Sequence, residues 1–489
     1  MASAAAEENL NAAGKLDAEI VHAERIVAED EITKTEDHGM SPAEIRKFTL
    51  KQDWRVLPML GVIYAVSIID RINIGSAKVL GMTEDLSLGS GPRYSIILML
   101  FFPAYALSDV PSNWLLTYIS PRWWLPFLMF SWGATLCGMA FLHNWQVMAF
   151  LRFMLGAFEG GVLPGVTFTI ACWYTKAELH KRIAFAYGLG IVASAFAGIL
   201  SYGLGQMDGV RGMRGWRWVF SIEGGATMFL AIIAPLLLPS FPEKAKWLKP
   251  RQKIYLFQKL QRDHGQYETE KVGPRTVLHV SKDGLLWLQG SIYMFCVGTA
   301  NATAFFAPTI ITGLGYSGLD ASLRSGYPFF PALGGLMITS YISDRYQARA
   351  TVCLVNTLIM MIGFILIRAD AGFSNEVRYL GLFFATMGVH CNVPALLAFN
   401  QSNTLGTANR AVSSGILIAC GAVGGIIGSL IFRGEDAPTY GPGIYTTIGM
   451  CVYIWCVLVI LIVVFKRKNK LLAQGGHVPG APEGFRFSL

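Results

Sequence analysis

V-S-I-I-D-R-I-N-I-G-S-A, residues 66–77, lies inside the first long apolar segment and places an aspartate, an arginine and an asparagine where lipid-spanning residues are expected. Each charge at bilayer depth costs about 2.5 to 3.5 kcal/mol even on the lenient insertion scale. Asp70 and Arg71 are adjacent, so on a helix they point about 100° apart and cannot form the same-face pair that a spacing of three or four gives. Each therefore has to find its partner on another helix. The default reading of an intramembrane ionisable residue is a substrate or ion pathway. The structural alternative is that Arg71 reaches one interface with its long stem while Asp70 caps a re-entrant break.

The composition around this stretch is that of a polytopic membrane protein. Of 489 residues, 53% are hydrophobic and only 15% charged, with a mean hydropathy of +0.44, above the apolar and below the charged content of soluble domains. Eight cysteines stand singly in apolar segments with no ligand-like spacing. They read as small free hydrophobes, which argues against a disulfide framework or a zinc site. The net charge of +8 does not imply a nucleic-acid partner, because the basic residues fall in loops between spans, where topology explains them.

Residues 1–50 contain no spanning run and lack the basic start and apolar core of a signal peptide, so they are expected to form an uncleaved, disordered cytosolic tail. Ser41-Pro42, with Glu44 and Arg46-Lys47 following, resembles the capped start of a juxtamembrane helix. Twelve apolar segments follow, near 54–76, 93–117, 123–142, 146–170, 182–206, 216–239, 284–312, 322–343, 351–368, 378–401, 410–432 and 443–465, each about long enough for a core of roughly 30 Å. This divides the chain into a six-helix bundle at 51–240, a cytosolic linker at 241–283, a second six-helix bundle at 284–466 and a tail at 467–489. The fold expected is an all-α membrane protein of twelve helices in two pseudo-symmetric bundles, with substrate at the midplane between them. A channel would show a filter loop or rings of like charge, and neither is found.

Basic loops stay cytosolic. Lys244, Lys246, Lys249, Arg251, Lys253, Lys259, Arg262, Lys271 and Arg275 lie in the linker; Lys176, Lys181 and Arg182 lie between the fourth and fifth spans. Arg345 and Arg349 follow the eighth span, and Lys466, Arg467, Lys468 and Lys470 close the last. Both termini are accordingly expected in the cytosol and the protein in the plasma membrane, with the lipid bilayer as its surroundings and a monomer as its state. Arg211 and Arg214, before Trp216, are exceptions on the opposite side.

A second charged constellation, R-F-M-L-G-A-F-E-G-G-V-L-P-G, residues 152–165, occupies the fourth span. Arg152 and Glu159 are seven apart, on one face and roughly 10 Å from each other, so they share a face without touching. Gly156 and Gly160 would let a neighbouring helix approach, while Pro164 favours a bend. The charges either join a coupling site or make structural bridges to other helices. In the seventh span Asn301-Ala302-Thr303 matches a glycosylation sequon but sits at mid-span, so Asn301 and Thr303 are expected to line a cavity. In the tenth, His390 and Asn392 precede Pro394 and are candidates for the same cavity, a lone histidine being equally at home as a satisfied hydrogen-bonding residue.

D-R-I-N-I-G-S-A in the first span, with R-x-x-x-G-x-x-E-G and a following proline in the fourth, resembles the anion:cation symporter family of the major facilitator superfamily. D-V-P-S-N-W-L-L from Asp109, P-R-W-W-L-P from Pro121, G-W-R-W-V-F-S-I-E-G from Gly215 and A-N-A-T-A-F-F-A-P-T-I-I from Ala300 are similar to its fungal branch of allantoate and vitamin (nicotinate, pantothenate) permeases. The resemblance spans residues 53–466. It implies proton coupling at Asp70 and Glu159 and anion binding that involves Arg71, with Arg152 beside them. Asn73 belongs to the same motif and is expected at the substrate. The superfamily's turn after the second span usually carries an acid, where this chain has Thr117 with Arg122 retained. The counterpart after the eighth, S-Y-I-S-D-R-Y-Q-A-R, keeps Asp344, Arg345 and Arg349 as expected gating residues.

The residues also argue for an anion directly. Arg71 and Arg152 cannot lose their protons at working pH, so a dry cavity holding both must be balanced by Asp70, Glu159 or a bound anion. A carboxylate substrate suits the guanidinium fork, and competition between it and a protonatable carboxylate for one arginine is a coupling device. Arg71 is expected on the substrate and Arg152 on Asp70 or Glu159. The function expected is proton-coupled uptake of a small organic anion by alternating access, with no enzymatic activity and no cofactor other than the coupling proton. Nicotinate, pantothenate, biotin, allantoate, a small dicarboxylate or a dipeptide all fit. The alternative is a proton-antiport exporter, which typically carries a Gly-Pro step in the fifth span; this one has Gly188, Gly190 and Gly198 but no proline. A non-transporting sensor is the third reading, disfavoured by the short tails.

Overall fold

The computed structural model describes residues 41–89, 91–265, 274–346, 348–368, 374–405, 407–433, 436, 439–474 and 486–488, and they contain helices and connecting turns but no strand. The first half comprises span 1 (Pro42–Ala77), span 2 (Arg93–Met99 and Phe101–Ile119), span 3 (Pro121–Met139), span 4 (Trp145–Glu159 and Val162–Trp173), span 5 (Lys176–Gly205) and span 6 (Gly215–Leu237). The second comprises span 7 (Gly284–Gly313), span 8 (Gly318–Gly326 and Phe329–Tyr346), span 9 (Arg349–Arg368), span 10 (Asn375–Asn403), span 11 (Thr407–Ile431) and span 12 (Gly441–Ala473). The all-α architecture of twelve spans is therefore the one observed. Among the described residues nine of these helices are long and apolar enough on their own to cross a bilayer. Spans 2, 3 and 8 are not among those nine.

Local chemistry sets the helix ends. Ser41 opens span 1 with a capping box, its hydroxyl accepting from the Glu44 amide while the Glu44 carboxylate accepts from the Ser41 amide. Span 4 breaks at Gly160-Gly161, just before Pro164, whose missing N–H is harmless in the first turn of the new helix. Gly156 and Gly160 lie against the backbone of span 2 at Phe101 and Tyr105, where a Cβ would collide. At its other end span 1 widens into a π-helical turn over Lys78–Met82, with Gly81 at a positive φ of 103°.

With six crossings in each half, the start of span 1, the end of span 12 and the described residues between spans 6 and 7 share one side, here called the linker side. The two halves close on each other at the opposite, far side. Gly75 meets the Phe305 carbonyl, Gly198 the Ser322 carbonyl, and Gly326 the Ala195 carbonyl, each a backbone-to-backbone contact between halves with no room for a side chain. Arg214 and Arg217 both reach Asp85, at 3.5 and 3.4 Å, and the Trp216 indole donates to the same carboxylate. The excess of positive charge expected before span 6 is thus offset by an acid from the end of span 1.

On the linker side Arg182 of span 5 holds Asp53 of span 1 through Nε and Nη2, at 2.8 and 3.2 Å, and lies over the Tyr174 ring. Lys259, on the linker helix Pro250–Gly265, contacts Glu178 at 2.8 Å, and Trp247 stacks on Trp173. The chain end folds back as well: Phe487 stacks on Phe465 and exchanges backbone hydrogen bonds with the Asn469 amide. Of the disordered tail expected over residues 1–50, residues 42–50 are helical, as the start of span 1, and residues 1–40 lie outside the described residues.

Candidate functional site

Asp70, Arg71, Arg152 and Glu159 come together between spans 1 and 4, as their burial at bilayer depth requires. Asp70 is 1% exposed and accepts two neutral hydrogen bonds on one oxygen, from the Trp132 indole at 3.0 Å and the Thr227 hydroxyl at 2.8 Å. Its partners are spans 3 and 6, not an arginine. Arg71 donates from Nε and Nη2 to Glu159 Oε2 at 3.1 and 3.0 Å, with its guanidinium over the rings of Phe101 and Tyr105. Arg152 is 1% exposed and makes one described hydrogen bond, from Nη1 to the Arg71 carbonyl at 3.4 Å. Its Nε and Nη2 find no partner among the described residues, and neither does Glu159 Oε1.

This pairing differs from the expected one: Arg71, not Arg152, holds Glu159. The reason is helix direction. Side chains lean toward the N-terminus of their own helix; span 1 begins on the linker side and span 4 on the far side, so the two arginines lean apart. Glu159 lies two turns to the linker side of Arg152, within reach of Arg71 only.

Asn73 is 1% exposed and neither polar atom of its side chain has a partner among the described residues. It borders a small cavity where the halves meet, lined also by Ser76 of span 1, Ser194 of span 5, Pro308 of span 7, and Ser325 and Phe329 of span 8. His390 stands behind Phe329, with ring centroids 5.1 Å apart, so it reaches this cavity through a ring rather than directly. Asn301 and Thr303 bond back to their own helix, at the carbonyls of Val297 and Thr299. Asn392 donates to the Thr357 hydroxyl between spans 9 and 10. The structure does not bring these last three to the arginines; the hydrogen bonds they donate stay within the second half, while Asn392 Oδ1 has no partner among the described residues.

Of the gating residues, Arg349 donates to the Ala398 carbonyl and the Ser402 hydroxyl, joining span 9 to span 10, and Arg345 is exposed. The side chains of Asp344 and Thr117 lie outside the described residues. In the first half the linker-side ion pair is Asp53–Arg182, while Arg122 lies beside the Trp123 ring.

Glu223 of span 6 was not singled out from the sequence. It is 4% exposed, both its oxygens are without a partner among the described residues, and it sits one turn before Thr227, the donor to Asp70. An acid inside an apolar segment was its available signal. Trp132 and Thr227 carried none, since an indole and a hydroxyl are ordinary in a span.

The comparisons with known proteins agree with this architecture. The Major Facilitator Superfamily family model matches residues 60–429. The chain is 31% identical over 452 residues to the MFS transporter prlL of a fungal species, covering 90% of this chain and 91% of that one. It is 26% identical over 441 residues to the high-affinity nicotinic acid transporter of Saccharomyces cerevisiae, covering 89% and 82%. Among solved structures, a bacterial homologue of the human lysosomal transporter Spinster, in an inward-facing and unoccupied conformation, superposes with a TM-score of 0.67 at 15% identity, over 86% of this chain and 98% of that one. The xylose transporter XylE from E. coli, partially occluded and inward open, gives 0.62 at 14%, over 82% and 96%. The chain belongs to the major facilitator superfamily and is a multi-pass membrane protein built as a transporter of that superfamily.

Proposed function

We propose that the protein is a secondary active transporter that carries a small organic anion together with protons into the cell. The observation that carries this reading is the buried arginine pair: Arg71 is held by one carboxylate oxygen, and Arg152 beside it has Nε and Nη2 without a partner among the described residues. A guanidinium stays charged at working pH and its N–H groups match a carboxylate, so a buried guanidinium with open donors favours an anionic ligand. Glu159, with Oε1 free of partners among the described residues, is the proton acceptor. When it takes a proton its hold on Arg71 weakens, and the substrate carboxylate replaces it on Arg71. Asp70, held by neutral donors only, is the second proton site. Asn73, whose side-chain polar atoms have no partner among the described residues, supplies a further polar contact to the ligand.

The substrate class is a monocarboxylate of the vitamin or allantoate kind, a reading supported by the nicotinic acid transporter among the relatives. The positive-inside distribution supports cytosolic termini, and uptake into the cell implies the plasma membrane. The test is a thermal-shift screen of purified protein against nicotinate, pantothenate, biotin and allantoate at pH 5 and 7.5. A ligand that binds the folded state raises the unfolding temperature by mass action. Stabilisation by a carboxylate, lost in Arg152→Met, supports the anion site. Stabilisation only by neutral or cationic solutes refutes it.

A further inference from the structure

We propose that Lys78 is the far-side gate of this transporter, a cation that clamps the two halves together through aromatic rings and is released when that side opens. Lys78 follows directly on span 1, at the start of the π-helical turn over Lys78–Met82. Its ammonium lies 4.4 Å from the centroid of the Tyr94 ring, 5.2 Å from that of Phe306 and 6.0 Å from that of Tyr440. Tyr94 belongs to span 2 in the first half; Phe306 and Tyr440 belong to the second half, at span 7 and at the cap of span 12. Among the described residues Lys78 has no ion pair. Ring faces from both halves are therefore what holds this charge, and a cation is drawn to such faces by their quadrupole.

The surroundings tie the cage to closure. The Tyr94 hydroxyl donates at 3.5 Å to the Ile74 carbonyl of its own half and at 3.4 Å to the Phe305 carbonyl of the other. The Tyr94 and Phe306 rings meet edge to face at 5.6 Å. Next to them Gly75 lies against the Phe305 backbone and Gly318 against Val79. Parting the halves here removes Phe306 and Tyr440 from Lys78, and an ammonium stripped of those faces must go to water or an anion. Within this π-helical turn Leu80 and Gly81 leave helical backbone angles altogether, so the helix is kinked there. Lys78 thus sits where span 1 can swing while the rest of the helix stays packed.

The test needs no substrate. Spin labels on cysteines replacing Glu84 and Asp320, exposed far-side positions in opposite halves, report far-side separation in lipid nanodiscs. A second pair, replacing the exposed Tyr118 and Tyr346, reports the linker side. Both are placed in a chain whose eight native cysteines have been replaced. Lys78→Met should move the far-side distance distribution toward longer separations and the linker-side distribution toward shorter ones, while Lys78→Arg should keep the parent distributions. Tyr440→Leu, which removes a ring and leaves the cation, should shift both in the same directions as Lys78→Met and stands in for it if that variant does not fold. Parent-like distributions in Lys78→Met or, in its place, Tyr440→Leu overturn the proposal, as does lengthening at both sides together, the mark of general loosening.

Discussion

Arg71 and Glu159 meet with both guanidinium donors on the same carboxylate oxygen, Oε2, which leaves Oε1 without a partner among the described residues. A pair built this way joins two spans yet keeps an oxygen on which a proton can sit. Glu159→Gln keeps an acceptor for Arg71 but cannot exchange a proton. It should fold, retain exchange of internal for external substrate and lose accumulation against a gradient. Glu159→Ala strands a buried guanidinium and should destabilise the protein by about 3 to 5 kcal/mol. Counterflow and thermal unfolding of the two variants separate these outcomes.

Asp70 is held by Trp132 and Thr227, which are neutral donors. Trp132→Phe and Thr227→Val each remove one hydrogen bond from a buried carboxyl, and each should cost about 1 to 3 kcal/mol. Thermal unfolding of the purified variants measures this. An unchanged unfolding temperature in both would mean that neither donor contributes to holding Asp70.

A Cβ on Gly198 would lie 2.5 Å from the Ser322 carbonyl oxygen of the other half. Backbone cannot yield as a flexible side chain does, so Gly198→Ala should prevent far-side closure while leaving each half intact. A cysteine replacing Ser76, buried at the junction, should then be labelled by a membrane-impermeant maleimide from the far side much faster than in the parent. Equal labelling rates would remove this contact from the closure account.

The fold was legible because lipid leaves few choices: twelve apolar runs separated by basic loops can hardly be anything but spans. The acid and base of residues 70 and 71, with the acid and base seven apart in span 4, also pointed to a shared cluster, since charges at that depth need partners on other helices, and Arg71, Arg152 and Glu159 do meet. The partners themselves were not legible. That Arg71 takes Glu159 depends on the opposite directions of spans 1 and 4, and that Asp70 rests on Trp132 and Thr227 depends on how spans 3 and 6 pack beside it. Nor was it legible that Asn301 and Thr303 bond their own helix and that Asn392 bonds an adjacent one.

The linker is tied to the first half by Lys259 and Glu178. Burial raises the Glu178 carboxyl, but the hydrogen bond and charge of Lys259, with Arg182 and Thr175 adding to them, outweigh this and hold it below its ordinary value. A carboxyl lowered on folding contributes stability that is present above its unfolded pKa and is lost as pH falls through its folded one. The contact should therefore persist through mildly acidic conditions and fail only below the ordinary carboxylate range. Both side chains are about a quarter exposed, so Lys259→Ala should cost no more than about 1 kcal/mol. Hydrogen exchange along residues 250–265, followed against pH in parent and variant, checks both statements.

The central claim is that an anion and a proton move together through the Arg71, Arg152 and Glu159 cluster. The direct measurement is uptake of radiolabelled nicotinate, pantothenate, biotin and allantoate into proteoliposomes under an imposed proton gradient, with proton flux recorded in parallel. At least one of these carboxylates should accumulate above equilibrium when the outside is acid, carry protons with it, and fall back when a protonophore is added; Glu159→Gln should abolish the accumulation. A transported solute that is neutral or cationic, or a carboxylate whose accumulation ignores the proton gradient, would contradict the account.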